Sequence, residues 1–212
     1  GDPPEKYFHE STFHAHYDGR FAYTILPHTS RVIHLRALVR SYLSTMHELG
    51  AETWIMHGSL LGWWWNRQIM PWDDDIDVQV SEPAISFLAQ YHNMTIHSFN
   101  VSDLDMTKGK RYLLEVNPSY KNASTTDWMN VIDARWIDID TGLFIDITTL
   151  RDASAHSGPQ RMYCKDKHRF LSSQIYPLRT SVFEGVPVRI PYGYQELLIE
   201  EYGAESLTET EF

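Results

Sequence analysis

The sequence predicts a single α+β domain in which helices pack on a mixed β-sheet. The chain has 212 residues, which is enough for one domain with a sizeable core. Hydrophobic residues make up 42% and charged residues 22%, a balance typical of a globular chain rather than a disordered one. Helical and strand patterns alternate without regular β-α-β units, which favours a mixed sheet over a purely parallel one.

The individual helices and strands are predicted from hydrophobic periodicity and from turn residues. Apolar positions three and four apart predict helices, alternating or short apolar runs predict strands, and Gly marks where elements stop. Residues 93–130 are polar and mixed, and no element is predicted there. The predicted elements, in order, are a helix from Thr29 or Ser30 to Leu49, a strand at 54–56, a helix at 60–66, a strand at 75–80, a helix from Ser81 to Tyr91, hairpins at 136–150 and 182–190, and a helix from Tyr194 to Tyr202.

The N-terminal part differs in character from the rest of the chain. Residues 1–30 are rich in His and aromatic residues but lack periodicity. We therefore expect them to form an extension packed on a domain that spans residues 31–212. His9, His14 and His16 fit no common spacing of metal ligands, so packing or surface roles are favoured for them.

The charge balance argues against nucleic acid as a partner. The chain carries 18 Lys and Arg against 28 Asp and Glu, a net charge of −10. Phosphate backbones need clustered basic residues, so no nucleic acid is expected to bind. An anionic substrate would need a cation between it and the protein. The single cysteine, Cys164, excludes an intrachain disulfide, and packing is its expected role.

The densest chemistry lies at residues 71–78, which read PWDDDIDV. On a strand alternate residues face the same way, so Asp75 and Asp77 share one face, and Ile76 and Val78 share the core face. Adjacent carboxylates repel each other, and a divalent cation that prefers oxygen ligands, Mg²⁺ or Mn²⁺, relieves that repulsion. A solvated acidic turn is the alternative interpretation.

Upstream, residues 57–62 read HGSLLG, a small-residue turn that leads into a helix. The backbone of Gly58 and the hydroxyl of Ser59 suit a phosphate at such a turn. His57 is either a phosphate contact or a structural histidine. A Gly-Ser turn shortly before an Asp-x-Asp strand is the pattern of the nucleotidyltransferase fold, so the sheet is expected to be nucleotidyltransferase-like.

A third carboxylate is expected from the hairpin at residues 136–150. A three-residue loop at 140–142, with Gly142 in the left-handed position, separates apolar from polar side chains better than a two-residue loop does. That register puts Asp138 and Asp146 on one polar face. We expect Asp146 to be the third metal ligand, with Asp138 as the runner-up.

Two other groups near these motifs have two interpretations each. Residues 63–65 are consecutive Trp that point in different directions on a helix, so at least one belongs to the core. Lys165, Lys167, His168 and Arg169 form a local basic cluster. A solvated helix face is favoured for the cluster over a contact with an anionic donor.

Together these residues resemble the LicD/fukutin family. The resemblance covers nearly the whole chain, from about residue 5 to residue 212, and the PWDDDID string is its most specific part. Relatives continue beyond the EYG at residues 201–203, so a truncation at the C-terminus is expected. Further segments are similar to the fungal branch, which is associated with mannosylphosphate transfer to cell-wall glycans: residues 132–136, 142–148, 176–179, 183–185 and 188–191.

The resemblance implies transfer of a phosphorylated group from a nucleotide donor to a sugar hydroxyl. LicD proteins use CDP-choline and fukutin relatives use CDP-ribitol, whereas the fungal branch implies GDP-mannose, a mannose hydroxyl on a cell-wall or N-linked glycan, and release of GMP. Asp75, Asp77 and Asp146 are the expected catalytic residues and ligands of Mg²⁺ or Mn²⁺. The expected substrate-binding residues are His57, Gly58, Ser59, Arg67, Trp72, Arg135 and Arg179.

Sequons at Asn93, Asn100 and Asn122 indicate passage through a secretory lumen. No apolar run is long enough to span a membrane, and the first residues do not read as a signal peptide. With the resemblance, these features predict the lumenal domain of a type II membrane protein of the Golgi, with any membrane segment outside this chain.

Two other functions stay open on the sequence. A glycosyltransferase that uses Asp-x-Asp with a nucleotide sugar would release GDP, and the Gly-Ser turn argues against it. A non-catalytic regulatory or binding subunit of a mannosylphosphate transferase would share the fold. Intact carboxylates at Asp75, Asp77 and Asp146 argue against a dead enzyme.

Overall fold

The computed structural model describes residues 5–100, 109–153 and 159–208. Within these ranges it contains a mixed β-sheet with helices packed on it, which confirms the predicted α+β class. The helices are α1 (His28–Leu49), α2 (His57–Asn66), α3 (Glu82–Tyr91), α4 (Ser172–Ile175) and α5 (Tyr194–Tyr202). The strands are β1 (Thr53–Ile55), β2 (Asp77–Ser81), β3 (Thr95–Phe99), β4 (Lys110–Val116), β5 (Ala134–Asp138), β6 (Phe144–Asp152), β7 (Arg161–Tyr163), β8 (Arg169–Leu171), β9 (Arg179–Phe183) and β10 (Val186–Ile190).

The main sheet of the described residues has eight strands, and one of its strand pairs is parallel. Its order is β1-β2-β6-β5-β4-β3, with β7 paired to β6 and β8 paired to β7. The β2–β6 pairing is parallel, whereas the other pairings among the described strands are antiparallel. Strands β9 and β10 form a separate hairpin. The parallel pair places the acidic strand β2 directly beside β6, which carries Asp146.

The long helix α1 packs on one face of the sheet. Tyr42 contacts Trp136 of β5 with ring centroids 6.2 Å apart, and the Trp136 indole donates to Ser41 at 3.0 Å. Gly50 ends the helix at φ 70°, as predicted, because glycine adopts the left-handed conformation without steric cost. The helix begins at His28 after Pro27, slightly before the predicted start. Among the described helices, none combines the length and the apolar character that a bilayer crossing requires.

Strands β3 and β4 occupy part of the range in which no element was predicted. Strand β4 is buried at six of its seven positions, including the charged residues Lys110 and Glu115. These buried charges conceal the apolar pattern by which a strand is recognised. They are tolerated because the Lys110 ammonium lies 2.7 Å from the Asp138 carboxylate, and Glu115 accepts from Arg20 at 2.6 Å.

The hairpin of β5 and β6 exists, but its predicted register is wrong by one residue. Ile137 pairs with Phe144 across a four-residue loop, and the Asp138 backbone N–H donates to Leu143 at 2.8 Å. Gly142 is left-handed, as predicted, with φ 83°. The Asp138 carboxylate accepts from the backbone of Asp140 at 3.0 Å, a local turn that lengthens the loop. Asp138 and Asp146 therefore lie on opposite faces of the sheet.

Candidate functional site

Three acidic residues meet at the start of the parallel strand pair. The register of β2 and β6 aligns Asp77 with Asp146, and the Asp146 N–H donates to the carbonyl of Ile76 at 3.2 Å. Residues aligned in this way present their side chains on the same face of the sheet. Asp75 precedes β2, and all three carboxylates line one cavity of about 650 Å³. The three residues predicted as metal ligands thus line the same cavity, whereas the acidic group whose ligand atoms lie within 4.8 Å of one another is His16, Asp74 and Asp75.

The site concentrates negative charge in partly buried surroundings. Burial and the charges of Asp146 and Asp75 raise the pKa of Asp77 to about 7. Burial also raises the pKa of Asp146, against the opposing charge of Arg135. Burial and a hydrogen bond with Asp75 raise the pKa of neighbouring Asp73 to about 8. Carboxyl groups crowded in this way resist ionising together, and a cation would remove that cost.

Arg135 neutralises part of this charge from inside the protein. Its Nε donates to Asp146 Oδ1 at 2.7 Å, and a terminal nitrogen donates to Glu10 Oε1 at 2.6 Å. The guanidinium lies 3.7 Å from the centroid of the Phe144 ring and is almost fully buried. Arg135 was predicted to contact substrate, and the structure places it in the wall of the larger cavity, holding one oxygen of Asp146.

A second cavity, of about 420 Å³, is also lined by residues of the acidic segment. Asp75 and Asp77 line both cavities, so the acidic residues lie where the two meet. We call them the larger and the smaller cavity. The larger one is closed by the N-terminal residues Glu10 to His16, and the smaller one reaches α2 and α5. Such an arrangement can hold two reactants on either side of one set of carboxylates.

The predicted residues His57, Gly58 and Trp72 line the smaller cavity. Trp72 is 55% exposed, so part of its side chain faces solvent. A Cβ added to Gly58 would lie 3.0 Å from Oδ2 of Asp73, so a carboxylate approaches the start of α2 where a phosphate was expected. The His57 ring lies 2.9 Å from Glu201 through its Nδ1.

Four predicted residues are not brought to the carboxylates. Ser59 is buried, with 3% of its surface exposed, and Arg67 stacks 3.9 Å above the Trp63 ring. Arg179 stacks on Tyr192 at 4.1 Å. None of these three lines either cavity. The runner-up ligand Asp138 is fully buried on the opposite face, where Lys110 neutralises it, so its predicted position beside Asp146 is wrong.

Two groups of residues at the site were not assigned to it from the sequence. His14 Nε2 lies 3.4 Å from Asp74, and His16 Nδ1 lies 3.9 Å from Asp75, so the N-terminal histidines reach the acidic loop. Asp166 and His168, with Glu201 and Tyr202, line the smaller cavity. No local signal identifies these residues, because each reaches the site through tertiary packing.

The basic cluster at residues 165–169 adopts a different structure from the one expected. It forms the turn between β7 and β8 rather than a solvated helix face. Lys165 is buried, with its ammonium 2.7 Å from the Asp133 carboxylate. Trp63 is buried in the core, as expected for at least one of the three consecutive Trp. The Trp64 and Trp65 indoles donate to the backbone carbonyls of Leu207 and Ser206 at 3.1 and 3.0 Å.

Comparison with known families gives a match over most of this fold. The LicD/FKTN/FKRP nucleotidyltransferase domain matches residues 50–193, a range that includes Asp75, Asp77 and Asp146. The chain belongs to the LicD family. The match extends from β1 to the residue before α5, and therefore contains both strands of the parallel pair.

Curated proteins of Saccharomyces cerevisiae are similar to parts of the chain. Mannosyltransferase regulator 4 is 37% identical over 123 residues, which are 58% of this chain and 10% of that protein. Mannosyltransferase regulator 14 is 32% identical over 120 residues, 57% of this chain and 12% of that protein. The chain thus spans about a tenth of the length of these relatives. Both relatives are fungal, consistent with the fungal branch of the family.

Proposed function

We propose that this LicD-family chain is a metal-dependent phosphosugar transferase. It moves mannose-phosphate from GDP-mannose to a mannose hydroxyl of a cell-wall or N-linked glycan and releases GMP. The observation that carries this proposal is that Asp75 and Asp77 line both cavities, while Asp146 lines the larger one beside them. Family membership supports transfer chemistry, and the names of the yeast relatives support a role connected with mannose transfer.

The donor atoms at this point fit Mg²⁺ or Mn²⁺. Asp75, Asp77 and Asp146 offer only carboxylate oxygens, which hard divalent cations prefer. The raised pKa of Asp77, near 7, reflects burial and uncompensated repulsion that an ion would relieve. When bound, the ion would supply positive charge to the donor diphosphate and to the leaving nucleotide phosphate.

The two cavities suit the two substrates. We assign GDP-mannose to the smaller cavity, because the exposed Trp72 ring that lines it can stack on a base and Asp75 and Asp77 also line it. The acceptor sugar then occupies the larger cavity, which the N-terminal residues close. On this assignment, the N-terminal extension contributes its described residues between Lys6 and His16 to the acceptor side of the domain at residues 31–212.

The residues of the chain then align and deprotonate the reactants. The acceptor oxygen forms a bond to the phosphorus that carries mannose, and the bond from that phosphorus to the oxygen of GMP breaks. The hydroxyl proton passes to a carboxylate on the acceptor side, for which Asp146 is suited because Arg135 fixes its orientation at 2.7 Å. Positioning provides most of the rate in such a reaction, since phosphoryl transfer needs little covalent participation from the protein.

A regulatory subunit of a mannosylphosphate transferase is the second candidate. The yeast relatives are named as regulators, which favours this possibility. The complete set of carboxylates, Asp75, Asp77 and Asp146, favours catalysis. A regulator would bind the donor or the transferase and would turn over nothing when assayed by itself.

We also propose that the chain functions in the Golgi or another secretory compartment, as the lumenal domain of a type II membrane protein. The sequon residues Asn93, Asn100 and Asn122 are all exposed, so the acceptor amides lie at the surface. Expression through the secretory route should give a mass decrease on treatment with an N-glycosidase. An unchanged mass would count against lumenal modification.

Product analysis tests the proposed reaction. The chain is incubated with GDP-mannose, Mn²⁺ and a short mannoside, and the nucleotides are separated. GMP, together with a mannose-phosphate-mannose diester, supports phosphosugar transfer, whereas GDP indicates glycosyl transfer. Asp77→Asn should abolish GMP release, and Asp140→Asn, a matched change in the β5–β6 loop, should preserve it. No turnover with intact donor binding would favour the regulatory subunit.

A further inference from the structure

A second group of metal-ligand residues lies beside the acidic site and has a different chemistry. His57 begins α2, and Asp166 and His168 lie in the turn between β7 and β8. One ligand atom from each of these three residues lies within 4.8 Å of the other two. Lys167 between them adopts a left-handed turn conformation, with φ 76°. Asp166 and His168 on either side of it line the same cavity.

The hydrogen bonds of His57 fix which of its nitrogens is available. Its Nδ1 lies 2.9 Å from both carboxylate oxygens of Glu201. A carboxylate accepts hydrogen bonds, so the His57 nitrogen is the donor in this contact. Nδ1 is therefore engaged by Glu201, which leaves Nε2 as the ring nitrogen that can meet a further partner.

The other nitrogen of His57 is buried and unsatisfied. Among the described residues, no group makes a hydrogen bond to His57 Nε2, although this atom is shielded from solvent. A buried imidazole nitrogen without a partner is costly, and native proteins usually satisfy it with a hydrogen bond or a ligand. The His168 ring, with its centroid 4.4 Å from that of His57, brings a second imidazole to the same point.

We propose that His57, Asp166 and His168 bind a first-row transition metal ion of the zinc class, separate from the ion at the acidic site. Two imidazoles and one carboxylate are the donors that such ions prefer, whereas the acidic site offers only oxygen. Glu201 orients His57 from behind, as carboxylates do for metal-bound histidines. The remaining coordination positions open into the smaller cavity, which Asp77 also lines.

Cobalt spectroscopy tests this site directly. The chain is stripped with chelator, saturated with Mg²⁺ to fill the oxygen site, and titrated with Co²⁺ while the visible d–d absorption is followed. The wild type should bind one equivalent of Co²⁺ with an intense band typical of low coordination number, and Zn²⁺ should displace it. The affinity should fall at least ~100-fold in His168→Ala and in the isosteric Asp166→Asn, and about 10–100-fold in Glu201→Gln.

Controls separate this site from the other histidines. His16→Ala removes a histidine that faces Asp74 and Asp75, and it should leave the band and its midpoint unchanged. Circular dichroism and thermal unfolding check that each variant is folded, and Asp166→Asn keeps the size of the side chain. The proposal is overturned if the wild type gives no visible band, if the folded His168→Ala and Asp166→Asn variants bind Co²⁺ as the wild type does, or if His16→Ala abolishes the band.

Discussion

Asp77 and Asp146 occupy aligned positions on two parallel strands, β2 and β6, so their carboxylates share one face of the sheet. Neighbouring charges of the same sign are unfavourable in a partly buried position, and the raised pKa of both groups reflects this. An unfavourable pair of carboxylates at this position indicates that their negative charge has a functional role. Here both residues line the larger cavity and Asp77 also lines the smaller one, which suits a cation between two substrates.

Divalent cations should stabilise the chain through these carboxylates. Mg²⁺ or Mn²⁺ at about 100 times its dissociation constant should add about 2.7 kcal/mol to the free energy of unfolding. Asp77→Asn removes one ligand and one repelling charge, so it should lose most of this gain without losing stability in chelator. Thermal unfolding with and without metal measures the effect. An equal gain in Asp77→Asn would place the cation elsewhere, and Asp140→Asn serves as the matched control.

Arg135 should be far more important to stability than an exposed arginine. Arg135→Gln leaves Asp146 and Glu10 without their shared partner in a buried setting, which should cost about 3–5 kcal/mol of unfolding free energy. Arg111 is the matched control, since its side chain is 58% exposed and lies 3.4 Å from Asp140. Arg111→Gln should cost less than about 1 kcal/mol. Urea denaturation of both variants measures these losses of unfolding free energy. Similar losses in Arg135→Gln and Arg111→Gln would contradict the buried role of Arg135.

The contact between the N-terminal segment and the β5–β6 loop can be tested with a pair of glycines. A Cβ on Gly142 would lie 2.7 Å from Cβ of Ala22, whereas Gly185 has no neighbour within 4 Å, and both have positive φ. Alanine at either position should cost about 1–2 kcal/mol for the left-handed backbone. Gly142→Ala should cost about 1–3 kcal/mol more because of the clash. Equal losses of unfolding free energy in Gly142→Ala and Gly185→Ala, measured by urea denaturation, would show that the N-terminal segment does not pack against Gly142.

His97 should make stability depend on pH. Its ring packs 5.1 Å from Trp136, and burial together with nearby His92 lowers the His97 pKa from 6.5. The unfolded chain therefore binds the proton more readily, so His97 contributes stability above pH 6.5 that is lost as the pH falls below this value. In His97→Gln, the difference in unfolding free energy between about pH 7 and about pH 5.5 should shrink. An unchanged difference would contradict this assignment.

Local sequence patterns were enough for α1, α2, α3 and α5, for the β5–β6 and β9–β10 hairpins and for the acidic strand, but not for α4, β7 and β8. They also pointed to Asp75, Asp77 and Asp146, which line one cavity, because the alternation of β2 and the flanking strand residues of β6 are local signals. Register was harder to predict. The hairpin loop is one residue longer than expected, since the Asp138 carboxylate bonds to the Asp140 backbone and the partner of Asp138, Lys110, lies in the unpredicted β4.

The rest of the candidate site depends on packing between distant segments. Glu10 reaches Arg135, and Glu201 reaches His57, across separations that no local pattern encodes. The arginines predicted to bind phosphate show the converse problem. Arg67 and Arg179 stack on aromatic rings instead. The sequence alone does not distinguish an arginine that stacks on a ring from one that contacts a phosphate.

The central claim is that Asp75 and Asp77 bind a nucleotide-sugar donor through a divalent cation. Calorimetric titration of GDP-mannose into the chain with Mn²⁺ tests it most directly. Binding should appear for the wild type, vanish in chelator, and vanish in Asp75→Ala combined with Asp77→Ala. Binding that persists unchanged in that double variant, or a wild type that binds no donor in Mn²⁺, would contradict the claim.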